Sequence, residues 1–321
     1  MYRPEIKVLD CTIRDGGLMN DWYFDDDLVS DVWTASCEAG LDYVELGYRA
    51  NPELFSKSEN GPWRYCEEAD VRRVTNDGDT GGSNTKISIM CDVGRVEEEQ
   101  FIPASESVIS MVRVACYVKD VDKAIHLVNF CEGLGYETTI NIMAVSHALE
   151  LDVDEAVQQI DSETTTDAVY VVDSFGAMYS EQIHHLVDKY RGFLSPDKEV
   201  GIHCHNNQQL GFGNTIEAII HNANFLDASI FGIGRGAGNC PMELLVSFLK
   251  NPKFDVRPIL DVCARRIAPL QKELAWGYHI PYMVTGTHNR HPRTAMAIMG
   301  TDKESDYCAF YDLIAAEEEL D

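Results

Sequence analysis

Two histidines, His203 and His205, flank Cys204 at the end of a short apolar run. Side chains at positions i and i+2 of a strand point to the same face, so the two imidazoles are expected to project together. Two neutral imidazoles on a rigid strand end make half of a divalent-metal site. Two core histidines bonded to backbone carbonyls are the alternative interpretation, and further ligands elsewhere in the chain must decide between the two.

Other predicted strands also stop in polar residues. These polar ends are Arg14 and Asp15, Glu45, Ser146 and His147, Asp173 and Ser174, and Asn239. A buried polar group without a partner costs roughly 1–3 kcal/mol, so a series of such ends is not expected as a set of core defects. A shared partner, such as a hydrated divalent cation, explains them if the strand ends converge.

Apolar runs and amphipathic stretches alternate along the chain and predict eight strand-then-helix units. The strands are predicted near 6–9, 41–48, 87–93, 111–118, 138–145, 168–172, 200–204 and 226–231. Eight such units within about 250 residues predict an α/β fold, a closed (β/α)8 TIM barrel, in which chemistry occurs at the carboxyl ends of the strands. A doubly wound sheet is the alternative, but its glycine-rich phosphate fingerprint is absent after the first strand.

Asp15, His203 and His205 would give a metal one carboxylate and two imidazoles, with positions left for substrate and water. Oxygen and nitrogen ligands without a thiolate favour Mn²⁺, with Mg²⁺, Co²⁺ or Zn²⁺ as alternatives. Asn239 offers a carbonyl oxygen as a fourth ligand. Its other interpretation is a loop residue that tolerates a left-handed conformation between glycines.

Arg14 directly precedes Asp15, and its guanidinium stays charged at neutral pH. A guanidinium can hold the oxygen of a developing enolate while a metal chelates the carboxylate and ketone of a 2-oxo acid. Together they would stabilise the enolate that forms when a C–C bond next to that ketone breaks. A salt bridge from Arg14 to Glu45 or Asp173 is the other interpretation, and both can hold, since these carboxylates would orient the guanidinium.

The 321 residues carry a net charge of -27, which disfavours nucleic acid and anionic membranes as partners. We find no apolar run of membrane-spanning length, and the first ten residues lack the apolar stretch of a signal peptide. The ten cysteines are scattered singly, which is typical of free thiols in a reducing compartment. The composition therefore predicts a cytoplasmic protein that acts on a small molecule.

Three segments, in this order, resemble the signatures of the DRE-TIM metallolyases: residues 9–16, residues 203–205 and residues 234–239. This superfamily includes hydroxymethylglutaryl-CoA lyase, the isopropylmalate and homocitrate synthases, and 4-hydroxy-2-oxovalerate aldolase. Residues 173–178 and 238–243 are most similar to the strand-six and strand-eight motifs of the aldolase. The resemblance implies that Asp15, His203 and His205 bind the metal and that Arg14 steadies the enolate.

The resemblance also implies that Ser174 contacts the substrate carboxylate, and we assign Glu45 and Asp173 to the same substrate site. The aldolases carry a catalytic histidine shortly after Arg-Asp-Gly, whereas Gly17, Leu18 and Met19 stand here. We take His147 as the candidate for proton transfer. Tyr48, a metal-bound hydroxide, Tyr278 and the histidines of the last quarter remain alternatives.

These observations predict an aldolase that cleaves a 4-hydroxy-2-oxo acid to pyruvate and an aldehyde, or forms it. The alternatives are an acyl-CoA Claisen-type synthase or lyase and a non-catalytic relative that kept the barrel. We expect a catalytic barrel over residues 1–250 and a helical extension over residues 251–321, with helices at 267–274 and 306–320. This extension could close the barrel bottom, cover the mouth or pack on a second subunit. A homodimer and a dehydrogenase that takes up the aldehyde are further expectations.

Overall fold

The computed structural model describes residues 2–318, in which eight parallel strands form one closed barrel in chain order. The strands are β1 (Lys7–Asp10), β2 (Tyr43–Tyr48), β3 (Lys86–Asp92), β4 (Ile109–Tyr117), β5 (Glu137–Met143), β6 (Ala168–Asp173), β7 (Glu199–Cys204) and β8 (Phe225–Ala228). The barrel closes where Lys7 of β1 pairs with Phe225 of β8. The predicted TIM barrel is confirmed.

Helices surround the barrel and extend beyond it. They are α1 (Thr12–Gly16), α2 (Asp26–Glu38), α3 (Glu68–Thr75), α4 (Val121–Gly133), α5 (Glu150–Glu163), α6 (Ser180–Phe193), α7 (Gly211–Ile220), α8 (Met242–Leu249), α9 (Val256–Val262), α10 (Ala268–Leu270), α11 (Ile280–Thr287), α12 (Arg293–Ile298) and α13 (Tyr307–Glu318). In α2 the Asp25 carboxylate caps the helix by accepting from the Leu28 amide, and the apolar face buries Val29 and Val32.

The third strand-then-helix unit departs from the regular pattern. Between β3 and β4 the structure has only two short 3₁₀ turns, Glu98–Gln100 and Ala104–Glu106. This segment contains Pro103, which lacks an amide donor, and it shows no helical spacing of apolar residues. Phe101 covers this side of the barrel by packing against Phe130 of α4.

The amino-terminal half of the barrel interior is filled by aromatic side chains. Tyr43 stacks on Phe225 with ring centroids 6.1 Å apart, and Tyr170 meets Phe225 edge-on. Gly201 of β7 lies against the Tyr170 ring, where a Cβ atom would not fit. This packed layer fills the lower part of the interior, so a site can form at the carboxyl ends of the strands.

The chain after α8 first joins the outer ring and then crosses to the barrel mouth. Helix α9 packs against α2 and α8. The helix predicted over 267–274 is wrong in detail, because a π-helical turn (Cys263–Ile267) runs into α10, which ends at Leu270. The predicted domain boundary at residue 250 stays a prediction.

Residues 280–318, which we call the C-terminal cap, lie over the carboxyl ends of the strands. Their own apolar cluster includes Tyr282, Phe310 and Ile314. The Asn207 side chain donates to the carbonyl of Tyr282, and Ser146 donates to the side chain of Asn289. Of the three placements expected for this segment, the structure has it covering the mouth. No helix within residues 2–318 is both long enough and apolar enough to cross a membrane.

Gly238 offers a test of the loop after β8. Its φ is +79°, and a Cβ atom would collide with the carbonyl oxygen of Gly232. We expect Gly238→Ala to lower the free energy of unfolding by about 2 kcal/mol or more, measured by urea denaturation. Gly213→Ala is the matched control, because a Cβ at Gly213 in α7 meets nothing within 4 Å. That variant should be neutral or slightly stabilising, and equal losses in both would contradict the account.

Candidate active site

The two histidines at the end of β7 project into the barrel mouth on the same side, as their spacing predicts. Their ring centroids are 4.9 Å apart and the rings are nearly perpendicular. The Nε2 atoms of His203 and His205 lie 3.6 and 3.5 Å from Oδ2 of Asp15. Strands β1 and β7, far apart in sequence, thus bring one carboxylate and two imidazoles to a single point.

Asp15 does not lie on β1 itself but on the helical turn α1 that follows the strand. The Thr12 hydroxyl accepts a hydrogen bond from the Ile230 amide, which ties this turn to the loop after β8. The Trp22 indole donates to the carbonyl of Arg14 and fixes the far end of the turn. The turn therefore holds Asp15 opposite the histidines.

Four buried ligand-type atoms at this point make no hydrogen bond within the described protein. They are Oδ2 of Asp15, Nε2 of His203, Nε2 of His205 and Oδ1 of Asn239. Leaving such atoms without a partner is costly. Atoms bound to one ion at about 2.1 Å lie about 3–3.5 Å apart, close to the separations observed. The set therefore fits a divalent cation.

Asn239 and Asp15 both lie against Gly234, where a Cβ atom would collide with Nδ2 of Asn239 and lie 3.0 Å from Oδ2 of Asp15. The two side chains are therefore neighbours. Nδ2 of Asn239 donates to the carbonyl of Ile233 at 3.1 Å. With Nδ2 held in this way, Oδ1 is the atom left without a partner. The structure thus brings the fourth predicted ligand to the other three.

Hydrogen bonds on the far side of each imidazole set its tautomer. Nδ1 of His203 donates to the Asp227 carboxylate at 2.9 Å, and Nδ1 of His205 donates to the carbonyl of Asp173 at 3.0 Å. Because both Nδ1 atoms carry the hydrogen, both Nε2 lone pairs face Asp15. A carboxylate or carbonyl behind a histidine is the usual support for a metal ligand.

A buried network of charges links these groups. Arg14 donates from Nε to Glu45 at 2.7 Å and pairs through Nη1 with Asp15 at 3.1 Å. Arg113, fully buried on β4, pairs with Glu45 at 3.1 Å and with Asp227 at 2.7 Å. We call the set Arg14, Glu45, Arg113, Asp227 and Asp15 the charge network. Sequence reasoning missed Arg113 and Asp227, although an arginine inside the apolar run 109–117 is a usable signal.

The pKa shifts follow from this network. Burial opposes ionisation of Asp15, but Arg14 and the imidazoles outweigh burial and hold the pKa of Asp15 well below its ordinary value. Burial lowers the pKa of His205 to about 4. Burial acts in the same direction on His203, yet the neighbouring carboxylates of Asp15 and Asp227 raise the pKa of His203 above its ordinary value.

The structure separates Arg14, predicted as catalytic, and the three residues predicted to contact substrate into two groups. Arg14 and Ser174 line a small cavity of about 70 Å³ next to the metal-ligand candidates. Glu45 and Asp173 do not line it: Glu45 holds the two arginines, and Asp173 accepts from the amides of Ala177 and Met178 in its own loop. Both carboxylates therefore act on protein groups rather than lie against the cavity.

His147, the candidate for proton transfer, lies away from this cavity. Its side chain is exposed, packs against Phe175 with ring centroids 4.9 Å apart, and contacts the carbonyl of Asn289 in the C-terminal cap. The polar end of β5 is thus used to attach the cap. The chain turns outward at Ala144, whose φ is +49°. The sequence shows that His147 follows a strand, but it does not show this turn.

Other cavity residues were not singled out as ligands or substrate contacts from the sequence. Tyr48, Asn141, Leu18 and Arg235 all line the cavity. Arg235 donates from Nη2 to the carbonyl of Ser174 at 2.8 Å, so it spans from the loop after β8 to the loop after β6. It lies within the segment 234–239, and a charged residue between glycines at a strand end was the available signal.

The fold is a TIM barrel, and its mouth carries a group of side chains that could hold a divalent metal ion. The HMGL-like family model matches residues 5–266, and the chain belongs to the HMGL-like family. Membership in this family confirms the class predicted from the sequence, a metal-dependent carbon–carbon lyase of aldolase type.

Individual relatives agree with this assignment. The chain is 29% identical over 245 residues to an oxaloacetate decarboxylase of Mycobacterium tuberculosis, covering 76% of this chain and 69% of the relative. It is 27% identical over 301 residues to a 4-hydroxy-2-oxovalerate aldolase of Thermomicrobium roseum, covering 89% and 81%. Among solved structures, the N-terminal domain of a putative aldolase from Bacteroides vulgatus matches with a TM-score of 0.78 and 30% identity, covering 95% and 100%.

The support behind His203 yields a prediction. We expect Asp227→Asn to weaken Mn²⁺ binding about 10- to 100-fold, because the amide no longer fixes His203 with its Nε2 lone pair toward Asp15. Isothermal titration calorimetry measures the affinity, and circular dichroism checks that the variant is folded. Asp197→Asn, a surface change, is the control. Unchanged affinity in a folded Asp227→Asn protein would remove Asp227 from this role.

The histidine pKa values predict how binding depends on pH. A ligand imidazole must be neutral, and His205 is neutral down to about pH 4, whereas His203 has a raised pKa. Between pH 6 and 5 the metal therefore competes with one proton, and the logarithm of the Mn²⁺ dissociation constant should rise by about one for each pH unit lost. A slope near two, measured by calorimetry on folded protein, would contradict this assignment.

Proposed function

We propose that this enzyme is a divalent-metal-dependent aldolase that cleaves a 4-hydroxy-2-oxo acid to pyruvate and an aldehyde, and that it can form the same bond. The observation that carries this proposal is the set of unpartnered atoms on Asp15, His203 and His205, which face one another beside Arg14. The relatives named 4-hydroxy-2-oxovalerate aldolase support the choice of substrate class.

Asp15, His203 and His205, with Asn239 as a fourth group, would hold the metal. A divalent ion bound there would act as a Lewis acid that stabilises negative charge on the ketone oxygen of a 2-oxo acid. We propose Mn²⁺, because the ligand atoms are oxygen and nitrogen without a thiolate, with Mg²⁺, Co²⁺ and Zn²⁺ as alternatives.

Arg14 supports the enolate from the protein side. When the bond between C3 and C4 breaks, its electron pair moves into the C2–C3 bond and negative charge develops on the C2 oxygen. Nε and Nη1 of Arg14 are held by Glu45 and Asp15, so the guanidinium is fixed before substrate arrives. A fixed donor needs no reorganisation as charge develops, which is the main way that such groups accelerate a reaction.

Tyr48 is the proton-transfer residue that the geometry supports best. It lines the cavity at the end of β2, whereas His147 lies outside it. Burial, with the nearby Asp92 carboxylate, raises the pKa of Tyr48, so the phenol keeps its proton near neutral pH. We assign Tyr48 the role of donating this proton to C3 of the enolate, which completes pyruvate. The proton released from the C4 hydroxyl, carried by water, then restores the phenol.

One observation favours a second reaction, decarboxylation of a 2-oxo acid that carries a carboxylate at C3. Among the described residues that line the cavity, no carboxylate or imidazole is present beyond the metal-ligand candidates, and Leu18 contributes an apolar wall. Aldol cleavage needs an acceptor for the C4 hydroxyl proton, whereas loss of CO₂ does not. The relative named oxaloacetate decarboxylase is consistent with this alternative.

Location and partners extend the proposal. All ten cysteines lie within the described residues and are free thiols, which supports a reducing cytoplasm as the site of action. A homodimer and a dehydrogenase that consumes the aldehyde remain proposals that follow from the type of product. An acyl-CoA synthase on the same scaffold is the competing enzyme, and its need for acetyl-CoA separates the two experimentally.

Removal of the metal tests the proposal directly. We expect chelator-treated, dialysed protein to lose both release of pyruvate from 4-hydroxy-2-oxovalerate and exchange of the pyruvate methyl protons with D₂O. Mn²⁺ should restore both without CoA, because the enolate forms from pyruvate alone. Mass spectrometry of the metal content and NMR of the exchange provide the measurements. Full activity at zero metal, or exchange that requires acetyl-CoA, would reject the mechanism.

Arg14→Ala should lower kcat about 10²- to 10³-fold, the usual effect of removing one fixed charge-stabilising donor. Metal content should stay at the wild-type level, because Arg14 is not a ligand. Arg14→Lys keeps the charge but loses the two-point attachment to Glu45 and Asp15. Its kcat should lie between those of the wild type and Arg14→Ala. Arg257→Ala on the outer helix α9 is the control. Wild-type kcat in metal-loaded Arg14→Ala would exclude the enolate role.

A further inference from the structure

A second, larger space adjoins the catalytic cavity. It has a volume of about 710 Å³, and the two spaces share Leu18, Tyr48, Met143 and Arg235 in their walls. The inner cavity, at about 70 Å³, takes only the small 2-oxo acid end of a substrate. The part of the substrate that leaves as aldehyde must therefore lie in the outer space, which we call the vestibule.

The vestibule has the opposite charge balance from the rest of the protein. The whole chain has 26 basic and 53 acidic residues. The vestibule wall is instead dominated by cations: Arg64, Arg95, Lys119, Arg235 and Arg293 line it, against the carboxylates Asp92 and Asp120. A cationic concavity on an acidic protein focuses a positive field where anions are otherwise repelled.

The two carboxylates do not neutralise this wall. Asp92 pairs with Arg95 at 3.2 Å, and Asp120 pairs with Lys123, which lies outside the wall, at 2.7 Å. Within residues 2–318, neither Arg64 nor Arg235 has a carboxylate within ion-pair distance. The same holds for the two exposed cations, Lys119 and Arg293. None of these four cations therefore forms an ion pair among the described residues, although Asp92 acts on Arg64, Asp120 on Lys119 and Asp15 on Arg235 from a longer distance.

Arg64 carries the strongest indication of a ligand. Only 5% of its surface is exposed, and its Nε has no hydrogen-bond partner among the described residues. Its guanidinium lies over the rings of Trp22, Tyr48 and Phe55, with centroid distances of 4.3, 4.8 and 4.1 Å. The aromatic rings fix its position but supply no negative charge. A buried arginine held in this way, with no carboxylate in direct contact, can receive an anion.

We propose that the vestibule binds an anionic group, a carboxylate or a phosphate ester, at the aldehyde end of the substrate. Arg64 and Arg235 bind it from the inner wall, and Lys119 and Arg293 from the rim. The inference rests on the proposed aldolase function and adds a substrate class to it: 4-hydroxy-2-oxo acids with a second negative charge. Small neutral aldehydes carry no anionic group that could pair with these cations.

Matched aldehydes test this proposal in the direction of C–C bond formation, with pyruvate and the Mn²⁺-loaded protein. Succinic semialdehyde is compared with butyraldehyde, and glycolaldehyde phosphate with glycolaldehyde, so that each pair differs in one anionic group. We expect kcat/KM for the anionic member of at least one pair to be about tenfold higher or more. Which pair shows the difference tells a carboxylate from a phosphate ester.

Variants at the rim locate the effect. Arg293→Gln and Lys119→Gln should each reduce the ratio of kcat/KM for the anionic aldehyde to that for its neutral partner by severalfold, mainly through KM. Arg257→Gln, the same change at an exposed position outside the vestibule, should leave the ratio as it is. Rim positions are chosen because Arg64 is packed among three rings, and its loss could disturb the fold.

The outcomes distinguish failure of the vestibule proposal from failure of the proposed aldolase function. If pyruvate exchanges its methyl protons but no pair shows a preference for the anion, the vestibule proposal is wrong and the aldolase function stands. If the metal-loaded protein shows no exchange, the function fails and the vestibule proposal fails with it. Turnover of acetyl-CoA in place of an aldehyde would assign the cations to the phosphates of CoA and overturn the proposal.

Discussion

The site depends on a buried set of charges that do not cancel without a metal. Arg14 and Arg113 supply two positive charges, and Glu45, Asp227 and Asp15 supply three negative ones. The protein therefore presents one excess negative charge at a point that also offers two neutral imidazoles. Burying this excess is unfavourable, and a divalent cation reverses it to one positive charge. Arg235 lines the same cavity, so a centre that held such a cation would carry a positive field that favours the single carboxylate of a 2-oxo acid.

The same charges explain how distant strands keep their alignment. Each ion pair joins a different part of the barrel: Arg14 follows β1, Glu45 lies on β2, Arg113 on β4 and Asp227 on β8. His203 on β7 joins this network through its hydrogen bond to Asp227. Shifting any one strand by a residue would turn its charged side chain away and leave partners unpaired. The positions of the candidate ligands and the barrel register are therefore specified together.

Much of this arrangement was predictable from the sequence, for identifiable reasons. Alternation of apolar runs predicted the barrel, because parallel strands and crossover helices have different periods. The rule that strand ends share one mouth brought Asp15, His203, His205 and Asn239 together without any structural information. The roles of Glu45 and Asp173 as supports could be named only as alternatives, since pairing partners on different strands depend on side-chain direction and distance.

Other features could not be derived from local patterns. His147 follows a strand as Asp15 does, but a left-handed residue, Ala144, directs it outward to the C-terminal cap. The pairing of Arg113 with both Glu45 and Asp227 is a tertiary property of three strands. The vestibule depends on several loops meeting, so its cations are far apart in sequence and form no motif there.

The position of the C-terminal cap has a consequence for how the enzyme matures. Every candidate ligand precedes residue 240, whereas the cap begins at residue 280 and is attached to Asn207 and Ser146. During synthesis on the ribosome, the ligand residues emerge before the segment that covers them. The residues that form the mouth are therefore synthesised before the segment that covers it.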